Sequence, residues 1–250
     1  MRKLSTVETV SIGLNAALYA GFGYLTYLGI FTPVIGVVRF WPSVIIPAVF
    51  SILFGPLAGG LGAALGIFIS DMAIHHNALL SLAVGVPSNF VGFYLVGYIG
   101  RKNLENISTM IGLVFGGSLT AVVIALLQFG FLDHASAVVY ASACLLSVVL
   151  ALILSVIGHE WRSLGVASIV GLSTGSGIIG IGVWAFSQFF ILPSGETQLP
   201  LYASALWFTW TYCTEIPFLL TLVPPILRAC YAAFPSLRPG GRLSLGRHVG

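Results

Sequence analysis

Apolar stretches of about twenty residues follow one another along this sequence with only brief polar interruptions, and nearly all are long enough to cross a bilayer as a helix. A backbone inside hydrocarbon must satisfy its own hydrogen bonds, so such a pattern admits a bundle of helices and little else. Charged residues make up 7% of the chain and hydrophobic ones 58%, against about 25% charged in soluble domains. Mean hydropathy is +1.03. The fold class expected is all-α: one polytopic transmembrane bundle over residues 1–232, followed by a basic, disordered cytoplasmic tail at 233–250.

Eight helical segments are expected, at 8–31, 43–54, 57–74, 80–100, 108–131, 136–157, 165–191 and 201–227. The second is short, and Gly55 with Pro56 marks a tight turn into the third. The first lacks a convincing small-residue cleavage site and reads as a retained helix. With the N-terminus in the cytoplasm, Arg2, Lys3, Arg101, Lys102, Arg162, Arg228, Arg238, Arg242 and Arg247 lie inside and only Arg39 outside, as the positive-inside rule requires of a plasma-membrane protein with both termini cytoplasmic. The net charge of +3 therefore records topology and does not point to a nucleic-acid partner. Cys144, Cys213 and Cys230 show no metal-ligand spacing and read as small packing residues.

Placed by depth, the strongly polar residues of the apolar segments favour the outer side. Asp71 closes the third segment and is followed by His75, His76 and Asn77; Gln188 closes the seventh, while Asn89 and Glu215 lie deeper. An ionisable group at depth costs a few kcal/mol, so Asp71 and Glu215 need a partner, a wet cavity or a ligand. His75, His76 and Asp133 are equally readable as caps or interfacial groups. Glu215 precedes Pro217, expected to bend its helix, and Thr211 sits one turn earlier on the same face. Arg39, Trp41 and Trp210 belong to a dense aromatic and polar set at the same level, readable as an interfacial belt or as the walls of a site for a planar organic ligand. Gly55, Gly59, Gly62 and Gly66 form a smooth stripe for close helix packing, and Ala16 with Ala20 forms another on the first helix.

Several chemistries have no residues to carry them. Nothing matches G-x-x-x-x-G-K-[ST], so the chain carries no such nucleotide-binding loop. Metalloprotease spacing is absent, and the adjacent His159 and Glu160 read as a cytoplasmic loop. No catalytic group assembles at one depth, and the chain is not expected to be an enzyme or to bind a cofactor or metal of its own.

The Ala16-x-x-x-Ala20 stripe, the short helix PSVIIPAVFSILFGP running into LAGGLGAALGIFISD, GYIGRK at 97–102 and EIPFLLTLVPPILR at 215–228 together resemble the substrate-binding S components of energy-coupling factor (ECF) transporters. The likeness covers residues 8–102 and 201–232. It implies a membrane-embedded subunit that captures a vitamin, a precursor or a related micronutrient from outside. It also implies a transmembrane coupling subunit docked on Ala16 and Ala20, and two cytoplasmic ATPases that spend ATP to drive release. In that family the core has six helices, so two of the eight segments, among the fifth to seventh, are extra. The Met-His start of the cobalt and nickel members is missing, which argues against a metal cargo. On this reading Arg39, Trp41, Asp71, His75, His76, Asn77, Asn89, Gln188, Trp210 and Glu215 bind or gate the substrate. The alternatives are a proton-coupled secondary transporter working through Glu215 or Asp71, and an intramembrane enzyme using Asp71 with His75 or His76.

Overall fold

The computed structural model describes residues 4–30, 34–35, 38–104 and 106–238. Its helices are α1 (Thr6–Tyr27), α2 (Ile45–Phe54), α3 (Pro56–Ile74), α4 (Ala78–Leu80), α5 (Val86–Gly100), α6 (Asn106–Gln128), α7 (His134–Ile157), α8 (His159–Ser187), α9 (Tyr202–Thr221) and α10 (Val223–Ala233). A π-helical turn, Ser81–Gly85, joins α4 to α5 as one rod. Two-residue strands, β1 (Val34–Ile35) and β2 (Val38–Arg39), pair antiparallel between α1 and α2. Among the described residues, five segments are long and apolar enough to cross a membrane: Pro56–Ile74, Ala78–Gly100, His134–Ile157, Glu160–Ser187 and Tyr202–Ala233. Large apolar side chains such as Val114, Leu145, Val156 and Phe189 cover the exterior, a surface suited to lipid and not to water. The protein is an all-α, multi-pass membrane bundle.

Local chemistry sets the ends of these helices. Ser5 and Glu8 close a reciprocal capping box at the start of α1, with Glu8 N donating to Ser5 Oγ at 3.2 Å and Ser5 N to Glu8 Oε2 at 2.9 Å. Gly55, at φ +109°, lets the chain reverse between α2 and α3, and Pro56 begins the new helix where its missing N–H costs nothing. Asp133 caps α7 by accepting from Ser136 N at 2.9 Å, and bonding to Ser136 holds its carboxyl below the ordinary carboxylate range. Arg101 closes the C-terminal end of α2, donating from Nη1 to the carbonyls of Ile52 at 2.6 Å and Leu53 at 3.2 Å.

The glycine stripe of α3 is the packing centre. Gly59 faces Ser51 of α2, Gly62 faces Asn15 of α1, and a Cβ on Gly66 would fall 2.9 Å from the Ala16 carbonyl oxygen and 3.0 Å from Tyr19 Cβ. Asn15 takes advantage of this closeness, donating from Nδ2 to the carbonyls of Ala58 at 3.0 Å and Gly59 at 3.2 Å. The same logic joins α5 to α8: a Cβ on Gly92 would sit 3.2 Å from the Gly171 carbonyl oxygen, and one on Gly175 would sit 3.2 Å from that of Ser88.

Four expectations need correction. Ala16 and Ala20 are buried within the bundle and are not on its exposed face, the Ala16 carbonyl lying against Gly66 of α3. His159 and Glu160 are the first turn of α8 and not a loop, because a charged first turn can project past the apolar span while its backbone stays helical. The segment expected at 201–227 is not one helix: α9 runs through Pro217 to Thr221 and is interrupted at Leu222, just ahead of Pro224 and Pro225. The chain after Ala233 is not free at its start: Pro235–Leu237 forms a 3₁₀ turn and Arg238 grips Glu160 through two bonds, Nη2–Oε1 at 2.6 Å and Nε–Oε2 at 3.0 Å. Residues 239–250 of the expected tail lie outside the described residues.

Gly66→Val should detach α1 from α3 and lower stability by about 1–3 kcal/mol. Gly13→Ala, where an added Cβ meets nothing within 4 Å, should leave stability unchanged or higher. Thermal unfolding in detergent, read by size exclusion, measures both.

Candidate functional site

Near mid-length in the bundle, α5, α8 and α9 enclose a cavity of about 20 Å³, room for about one water. From α5 come Ser88, Asn89, Gly92 and Phe93; from α8, Gly171, Gly175 and Ser176; from α9, Thr211 and Glu215. The glycines let the walls approach to backbone distance, and the polar groups converge in the space that remains. Among the described residues the Glu215 carboxyl makes no hydrogen bond or ion pair, and the fully buried Ser176 Oγ has no partner either. A half-buried acid without a bonding partner and a fully buried, unpaired hydroxyl thus line one apolar-backed space, where a buried polar group without a partner costs free energy.

The other wall of the site is a hydrogen-bonded chain that holds its members still. The Tyr19 hydroxyl of α1 donates to Asn89 Oδ1 at 2.9 Å, and Asn89 Nδ2 donates to the Gly85 carbonyl at 3.0 Å, within the π-helical turn. Ser81 of that turn donates to Asp71 Oδ2 at 2.6 Å. A Cβ on Gly85 would lie 2.7 Å from the same carboxylate oxygen, so a larger residue there would push the Asp71 carboxylate aside. Glu215 and, more weakly, Asp71 stand within electrostatic reach of the Tyr19 hydroxyl. Trp41 closes over this group: its amide donates to the Thr214 carbonyl at 3.1 Å, and its ring packs at Gly23 of α1 beside Ser70.

The sequence-selected residues therefore divide. Asn89, Glu215 and the neighbouring Thr211 line the cavity; Asp71 and Trp41 do not, Asp71 being bonded to Ser81 of the π-helical turn and Trp41 to Thr214 of α9. His75 and His76 are exposed at the end of α3, and Asn77 caps α4 by accepting from Leu80 N at 3.0 Å. Among the described residues no three His, Cys, Asp or Glu side chains gather as a metal group. Gln188 is spent on the loop after α8, donating to the carbonyls of Trp184 at 3.1 Å and Leu199 at 3.0 Å. Trp210 is exposed and packs edge-on against Trp207. Arg39 belongs to β2, and its side chain lies outside the described residues. Sequence reasoning missed Tyr19, Ser88 and Ser176. The run GLSTGSG at 171–177 carried the signal for the last, with small residues at helical spacing and hydroxyls among them.

Comparison with known proteins adds little beyond this geometry. Two curated relatives, both titled UPF0397 protein and both from Aliivibrio fischeri strains, are 30% identical over 105 residues, 41% of this chain and 55% of theirs. The chain thus matches about half the length of those relatives. No family model matches the chain. No solved structure matches it.

Tyr19→Phe removes one hydrogen bond from the wall and should cost about 1 kcal/mol, with faster amide exchange over Gly85–Asn89. Gln188→Ala should instead speed exchange at Gln198 and Leu199, whose amides bond Ser187, and leave Gly85–Asn89 unchanged. Hydrogen exchange mass spectrometry separates the two.

Proposed function

We propose that this chain is the substrate-capturing S component of an ECF-type importer, and that the cavity at Glu215 is where a small organic micronutrient is held. The observation that carries the reading is the unpartnered carboxyl of Glu215 in the middle of a membrane bundle, beside the orphaned Ser176 hydroxyl. Among its described lining residues the cavity has no cation, so it suits a cargo that donates: a basic nitrogen or a set of N–H and O–H groups. At its present size the cavity takes no vitamin, so capture requires the walls to part. The Trp41 segment, joined to α9 by the amide bond to Thr214 and by the Phe40 ring edge-on to Phe218, would be the lid. The orientation is N-terminus and C-terminus cytoplasmic in the plasma membrane, with the site reached from outside. Release is driven by a coupling subunit and two ATPases that hydrolyse ATP, and this chain binds its cargo without transforming it. Because Ala16 and Ala20 are buried, the coupling subunit would dock on the exposed face of α1, where Gly13, Ala17 and Gly21 recur at four-residue spacing.

The same unpartnered Glu215 also suits a proton-coupled secondary transporter, and one assay separates the readings. Purified protein equilibrated with a metabolite extract of its host, then washed, should retain one compound at near-equal stoichiometry, and Glu215→Gln should retain at most about a tenth as much, a loss of about 1.4 kcal/mol. Trp210→Phe should retain it fully. In proteoliposomes the chain alone should not accumulate that compound; accumulation driven by a pH gradient without partners or ATP would refute the S-component reading. Enlarging the exposed face with Ala17→Leu should leave retention intact and abolish association with the coupling subunit.

A further inference from the structure

The basic end of the bundle holds a second and larger cavity, about 370 Å³, within the size range of about 300–1,000 Å³ that accommodates small ligands. Its floor is apolar, with Ile52 of α2, Leu164 of α8 and Leu227 of α10. Trp161 and Tyr231 flank it, and Arg101 and Lys102 stand at its rim. The one acid in the lining, Glu160, is already neutralised by the two-bond grip of Arg238. The rim is also held in place, because the Ser163 hydroxyl donates to the Lys102 carbonyl at 2.5 Å and receives the Leu104 amide at 3.3 Å. Arg101 is committed to the end of α2, but the Lys102 ammonium rests 3.7 Å over the Tyr98 ring and pairs with no carboxylate among the described residues. A cation over an aromatic face keeps donors for an incoming anion.

We propose that this crevice binds the phosphate headgroup of an anionic membrane lipid, with the phosphate at Lys102 and the lipid's apolar part along the floor. An apolar floor with a cationic rim and aromatic flanks, at the end of membrane-crossing helices, is complementary to an amphiphilic anion at the level of the bilayer surface. The chain's own last residues are a poor complement, since they carry Arg242 and Arg247 and repeat the sign of the rim.

Native mass spectrometry of the full chain in a neutral detergent tests it, with dioctanoyl phosphatidylglycerol, dioctanoyl phosphatidylcholine and inorganic phosphate as probes. Phosphatidylglycerol should bind at about tenfold lower concentration than phosphatidylcholine, and Lys102→Gln should weaken it about fivefold, the weight of one lysine facing an anionic headgroup. The variant keeps the backbone carbonyl that holds Ser163, and an unchanged melting temperature would show that the loop is intact. Equal binding of the two lipids, or undiminished phosphatidylglycerol binding by Lys102→Gln, would overturn the proposal. Displacement of the lipid by inorganic phosphate at comparable concentration would overturn it too, assigning the site to a soluble phosphate.

Discussion

Close approach of backbones through glycine decides how this bundle is built. In lipid there is little hydrophobic drive between helices, so contact area and interhelical hydrogen bonds must hold them together. Gly59, Gly62 and Gly66 bring α3 against α2 and α1, and Gly92, Gly171 and Gly175 bring α5 against α8. At that distance side chains reach the carbonyls of a neighbouring helix, as Asn15 does at Ala58 and Gly59 and as Ser51 Oγ does at the Phe93 carbonyl, 2.8 Å away. The same closeness reduces the central cavity to about the volume of one water. Packing and site are thus consequences of one feature.

Where partners are found, polar residues in the bundle act as fasteners. Asp71 with Ser81, Tyr19 with Asn89, and Asn89 with the π-helical turn tie α1, α3 and α5 into a frame. Glu215 and Ser176 face the frame across the cavity and have no such role. A carboxyl at that depth without a bonding partner is costly to keep, and it is the observation on which the proposed binding site rests.

Much of the fold was legible in the sequence because apolar length and turn chemistry are local signals. The segments at 57–74, 80–100 and 136–157 fall within two residues of Pro56–Ile74, Ala78–Gly100 and His134–Ile157. The faces of the helices were less legible. On α1, Ala16 and Ala20 compete with Gly13, Ala17 and Gly21 as small-residue stripes, and spacing alone does not choose between them. Asn15 and Tyr19 do choose: both would be unsatisfied against lipid, and they turn the Ala16 side inward. For the site, Glu215, Asn89 and Asp71 were recognisable as costly polar groups at depth. Gln188 and Asn77 looked alike by composition but are consumed by local loops and caps, which only the three-dimensional hydrogen bonding reveals.

The most direct test is native mass spectrometry of the protein purified at endogenous level from its own host, without added ligand. The account predicts a complex in which this chain carries one small organic molecule and is accompanied by a membrane coupling subunit and two ATPases. A chain recovered alone and empty, from membranes in which such coupling subunits and ATPases are shown to be present, would contradict it.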